Sequence, residues 1–184
     1  MKKISEYLYR VSKGWIVLLA LVIFLVFSSL ALPGQSALAE QYSQGTGSPD
    51  TSLFYSGSRL YELAGAYGVE GRQAYLKARW TFDVAFPLVY TFFLATAASW
   101  LLNKILPIGS KWRFLNLLPI AAMLLDFLEN TATSLVMLRY PTPCPPGQLL
   151  APIFTPLKWL AVGASFLLLV IGLILLVRNR ICRR

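Results

Sequence analysis

Four apolar runs decide what this chain can become. Residues 15–33, 82–102, 114–138 and 159–177 are each close to the ~20 residues a helix needs to cross hydrocarbon, and the charges stand at their edges. At 184 residues and 57% apolar, the chain is too hydrophobic for a soluble domain of its size. The expectation is an all-α, polytopic membrane protein, a four-transmembrane-helix bundle making one membrane domain over 1–184. Its spans are placed at 14–33, 80–103, 114–138 and 158–177. Between them fall an extracytoplasmic segment, 34–79, with a short amphipathic helix, and a proline-rich outer loop, 139–157.

Charge gives that bundle a direction. The net charge is +9, and eleven of the 17 Lys and Arg residues share one side of the four-span arrangement. Arg59, Arg72, Lys77, Arg79, Arg139 and Lys158 are left on the other, together with Glu40, Asp50, Glu62 and Glu70. The basic side is expected in the cytoplasm of an inner (cell) membrane, with both termini there. The charge is therefore read as favouring anionic membrane lipid rather than nucleic acid. Cys144 and Cys182 fall on opposite sides, which excludes a disulfide between them. With no histidine, the commonest metal and haem ligand is missing and so is a histidine general base. No metal or cofactor is expected, although carboxylate metal sites stay open.

The first run is followed by Pro33, Gly34 and Ala37-Leu38-Ala39, which together look like a signal peptide with its cleavage site. A cleaved signal leaves three spans; an uncleaved one, the preferred reading, makes this the first of four. Residues 40–56 carry Gly45, Gly47 and Pro49 and read as a loop. Leu60, Leu63, Ala64 and Tyr67 then recur at helical spacing, and Gly68 can end that turn. This short helix lies across the mouth of the bundle, either as a lid or simply as packed surface.

From about 71 to 103 the pattern is that of one continuous helix, with Arg72, Tyr75, Lys77, Arg79 and Trp80 at the membrane boundary. Asp83 lies one turn inside, and Pro87, four residues on, cannot donate to the carbonyl at 83. Pro119 is a second expected break, freeing the carbonyl of Leu115. Gly163 and Gly172 permit close packing in the last span.

The third run is the unusual one, because it holds Asp126, Glu129 and Asn130. Spacings of three and four residues gather them on one helical face, and carboxylates in hydrocarbon usually face a bundle interior, a partner or water. Counting residues from each end brings Asp83, Tyr90, Asp126, Glu129 and Asn130 to one outward-opening cavity. Three acids there cannot all ionise cheaply, so either a shared proton or a cation is required. Arg72, Arg79 and Arg139 are the nearest cations on this reading.

The candidates are thus Asp83, Asp126 and Glu129 for acid–base chemistry, and Arg72, Tyr75, Arg79, Tyr90 and Asn130 for ligand contact. Each has a plainer reading: Asn130 as an interhelical hydrogen bonder, the tyrosines as packing, Asp83 as an ion pair with Arg79. In architecture alone, a four-span bundle with internal carboxylates resembles the sterol-isomerase and sigma-2-receptor group. That resemblance implies a cationic or sterol-like ligand and rests on no shared motif. The function expected is binding of a small amphipathic, lipid-like or cationic ligand, with acid–base chemistry on it as an extension. The alternative is a non-catalytic accessory subunit of a larger membrane complex, and either version is compatible with a homo-oligomer or a membrane-protein partner.

Overall fold

The computed structural model describes residues 1–43, 45–49 and 52–182, so Asp50, Arg183 and Arg184 of the charge pattern lie outside the described residues. The protein is all-α. Its helices are α1 (Lys2–Val11), α2 (Gly14–Ser43), α3 (Gly57–Ala66), α4 (Gly68–Arg79), α5 (Phe82–Ile105), α6 (Leu118–Arg139) and α7 (Pro145–Ile181), with a 3-10 turn at Lys111–Leu117. Among the described residues, four stretches are long and apolar enough to cross a membrane: α2, α4 with α5, the 3-10 turn with α6, and α7.

Both termini lie at one end of the bundle. Ser5 on α1 donates to Asn116 Oδ1 at 2.8 Å, while Asn116 Nδ2 donates to the Ser5 carbonyl at 3.2 Å and to Ser99 at 3.1 Å. A fully buried amide on the 3-10 turn thereby ties α1 to α5. Alongside it, the Arg113 guanidinium stacks 3.9 Å from the Tyr9 ring centre. Burial pushes the Tyr9 phenol up to about 12, against the pull of Arg113. Lys104 and Arg180 line one small pocket at this same end.

Prolines misled the reading of helix boundaries. α2 continues through Pro33 and Gly34 to Ser43, so the first four residues of the expected loop 40–56 are helical. The expected loop 139–157 is non-helical only over 140–144, and α7 starts at Pro145. Pro145 and Pro146 occupy a first turn where backbone N–H groups need no helical partner. Pro152 and Pro156 lie inside α7 and leave the carbonyls of residues 148 and 152 without their helical donors. Pro119 is likewise not a break: it opens α6, and the Leu115 carbonyl accepts from the Leu118 N–H.

The long helix expected over 71–103 is two helices. α4 ends at Arg79, Trp80 and Thr81 leave helical geometry, and the Thr81 hydroxyl caps the Lys77 carbonyl at 2.7 Å. α3 buries Leu60, Leu63, Ala64 and Tyr67, the face its spacing predicts. Gly68 then turns the chain into α4 at φ +63°, a conformation that favours glycine. Of the two glycines expected to admit close packing, Gly172 meets Leu101 of α5, whereas Gly163 faces open space.

α6 and α7 form the most extensive helix pair, and their apolar contacts fall in two layers. One gathers Leu60, Tyr75, Ala132, Val136 and Ala151; the other gathers Tyr90, Leu94, Ala122, Ala161 and Leu169. Asp126, Glu129 and Asn130 of α6 and Thr155 and Lys158 of α7 lie between these layers.

α3 docks on α7 at one narrow point. A Cβ on Gly57 would collide with the Gln148 carbonyl oxygen, the group that Pro152 leaves without a helical donor. Gly57→Ala is therefore expected to cost about 1–3 kcal/mol, as overpacking does. A thermal melt of the purified variant checks this, and an unchanged Tm would show that α3 has room to shift.

Candidate functional site

The polar layer is built from five charged side chains on four helices. α4 supplies Arg79 from its last turn and α5 supplies Asp83 from its first, on either side of the break at Trp80–Thr81. Arg79 Nη1 lies 3.2 Å from Asp83 Oδ2 and donates to Asn130 Oδ1 on α6 at 2.9 Å. Asn130 Nδ2 then donates to the Asp83 carbonyl at 3.1 Å. That carbonyl is the one Pro87 cannot reach, so the expected backbone defect exists and a neutral amide fills it.

One turn away on α6, Asp126 and Glu129 meet a cation assigned from the sequence to the membrane edge. Lys158 Nζ forms an ion pair with Glu129 Oε2 and lies 3.8 Å from Asp126 Oδ1. Asp126 Oδ2 accepts from the Tyr90 hydroxyl at 3.1 Å. Glu129 Oε1 accepts from Thr155 at 2.6 Å, and Thr155 in turn contacts the Tyr55 hydroxyl at 2.9 Å. With the Thr155 hydrogen given to a carboxylate, Tyr55 is the donor of that last bond. Burial pushes its phenol above the ordinary range, and the Glu129 charge adds to the effect, so it keeps its proton.

The burial is deep. Lys158 is 5% exposed, Arg79 6% and Glu129 0%. Ions this dry are tolerated only with close partners, since desolvation costs several kcal/mol each. Three carboxylates face two cations, which leaves one negative charge over. Among the described residues, no group of three or more His, Cys, Asp or Glu side chains could hold a metal ion.

Beside the polar layer lies a cavity of about 670 Å3. Arg79, Asp83, Tyr90, Asp126 and Lys158 line it from one side, whereas Glu129 and Asn130 are sealed behind them. Its other walls are mostly apolar, from Leu32, Leu38 and Ala39 of α2, Ala74 and Ala78 of α4, Phe82 and Phe86 of α5, and Trp159, Val162 and Phe166 of α7, while α2 also presents Gln35, Ser36, Glu40 and Ser43 to it. Tyr75 also lines it, with its ring 4.6 Å beneath the Arg79 guanidinium.

Arg72 stands elsewhere. Its Nη1 donates to the Ala64 carbonyl at 2.9 Å, capping the end of α3, and its guanidinium lies over the Tyr140 ring. Lys158, Thr155 and Tyr55 are the residues sequence reasoning missed. The available signal was the three-residue spacing of Thr155 and Lys158 at the head of a long apolar run, hidden under the proline-loop reading.

Removing Lys158 strands Glu129, so Lys158→Met is expected to destabilise the fold by about 3–5 kcal/mol. Adding Glu129→Leu to the same chain is expected to recover most of that loss, because the pair then leaves together. Denaturation of the two single variants and the double variant in one detergent checks the cycle, and purely additive losses would refute the pairing. No family model matches this chain, and no curated protein or solved structure matches it.

Proposed function

We propose that this chain is a four-span inner-membrane protein that binds one elongated, lipid-like amphipathic molecule between α2, α4, α5 and α7. A single observation carries the reading: a cavity of about 670 Å3 is apolar on most sides and carries a row of paired charges on one. Ligand sites commonly have this composition and lie in the range of ~300–1,000 Å3. The row would hold the ligand's polar head, and α2, little buried against the rest of the chain, would form the wall nearest to lipid.

In this arrangement both termini and the basic end face the cytoplasm, and the cavity opens toward the outer leaflet. The excess carboxylate suits a head group that brings a proton or a positive charge. Asp126 and Asp83 are then the groups that exchange protons with the ligand. Glu129 serves as the fixed partner of Lys158, and an accessory subunit is what remains if the cavity takes no ligand.

Two measurements test this. The native cysteines stand at opposite ends, Cys182 exposed and Cys144 buried. A membrane-impermeant maleimide is expected to label Cys182 only after the cells are permeabilised; labelling in intact cells would invert the topology. Ala74→Phe places a ring in the cavity. Native mass spectrometry of the protein released from detergent is expected to show one bound single-chain amphiphile on the unaltered protein and at least a tenfold loss on the variant, by the ~1.4 kcal/mol per decade of affinity. An empty unaltered protein would favour the accessory-subunit reading.

A further inference from the structure

We propose that Lys158 forms a reversible imine with a long-chain apolar aldehyde bound in the cavity, a modification that rests on the ligand-binding reading above. Lys158 is a primary amine that is 5% exposed, and its side chain lines the cavity. Its Nζ stands between two carboxylates of different access: Glu129, sealed in protein, and Asp126, which shares the cavity wall. At 3.8 Å the Asp126 contact is an ion pair without a hydrogen bond, so the cavity side of the nitrogen is the one open to a new bond.

The charges on the page suit that bond. An imine needs an amine that can shed a proton and a nearby base to hold it, and the spare carboxylate of the cluster provides one. Asp126 takes a proton from the Lys158 ammonium, and the resulting amine adds to the carbonyl carbon. A second proton moves from nitrogen to the carbonyl oxygen, giving a carbinolamine. Asp126 returns its proton to that hydroxyl, which leaves as water as the C=N bond forms. The iminium keeps one N–H and the full positive charge, so the pair with Glu129 survives the reaction. A buried lysine between counter-ions can therefore be modified here without stranding either acid.

The walls select the rest of the molecule. A carboxylate or phosphate head would approach Asp126 and Asp83 against their charge, whereas an aldehyde is neutral and small. Its chain would lie along Leu32, Ala39, Val162 and Phe166, where exclusion of water opposes hydrolysis.

The test uses the intact protein in lipid nanodiscs with hexadecanal, cyanoborohydride reduction and peptide mass spectrometry, and hexadecanol as the unreactive probe of occupancy. The expected result is a hexadecyl group on Lys158 at higher occupancy than on the exposed Lys104 and Lys111. Lys158→Arg is expected to show no adduct in its α7 peptide. Asp126→Asn is expected to slow adduct formation by about a hundredfold, the usual scale of a lost acid–base group. Hexadecanol bound with no adduct at Lys158 would overturn the imine and leave the cavity reading standing. Retention of neither probe would overturn both.

Discussion

The contact between Lys158 and Glu129 is the constraint to which the rest of the bundle answers. Two ions removed from water must lie close together, and neither helix can rotate or slide far without separating them. That requirement fixes α6 and α7 in register, and the apolar residues then fall into two layers on either side. Thr155 occupies the second oxygen of Glu129, and Tyr55 reaches in from the connection before α3 to complete Thr155. A segment that looks like ordinary loop is thereby tied to the deepest charge in the protein.

The second pair works differently. Arg79 and Asp83 straddle a helix break, and Asn130 joins both of them through its two amide atoms. The side-chain oxygen accepts from the guanidinium while the nitrogen serves the carbonyl that a proline leaves unserved. An amide is suited to this because it both donates and accepts and carries no charge of its own. The polar layer is thus one connected structure, and the cavity borders only part of it.

How much of this could be read from sequence depends on which force each residue advertises. Asp126, Glu129 and Asn130 announce themselves, since their spacing is helical and their surroundings are apolar. The meeting of Tyr90 with Asp126, and of Asp83 with Asn130, follows from counting rises along antiparallel helices. Lys158 was hidden because Pro145, Pro146, Pro152 and Pro156 look like a loop one residue at a time. A proline in a first turn costs no hydrogen bond, and one inside a helix costs a single bond that neighbours can replace. The break at Trp80–Thr81 has no signature in residue type. Arg72 and Arg79 look alike on paper; the turn at Gly68 aims one at a helix end and leaves the other facing the acids.

The short connection between α6 and α7 has a consequence for how such a chain is made. Alone, α6 would bring two carboxylates into a bilayer and α7 an ammonium, each charge costing about 2.5–3.5 kcal/mol at the centre of a helix on translocon scales. Only residues 140–144 separate the two helices. If α6 and α7 enter a bilayer as a closed hairpin, Lys158 and Glu129 are already paired before lipid meets either, and one carboxyl of α6 remains to be matched. For a chain that spans a membrane in this way, the hairpin rather than the single helix is the unit whose charges are matched.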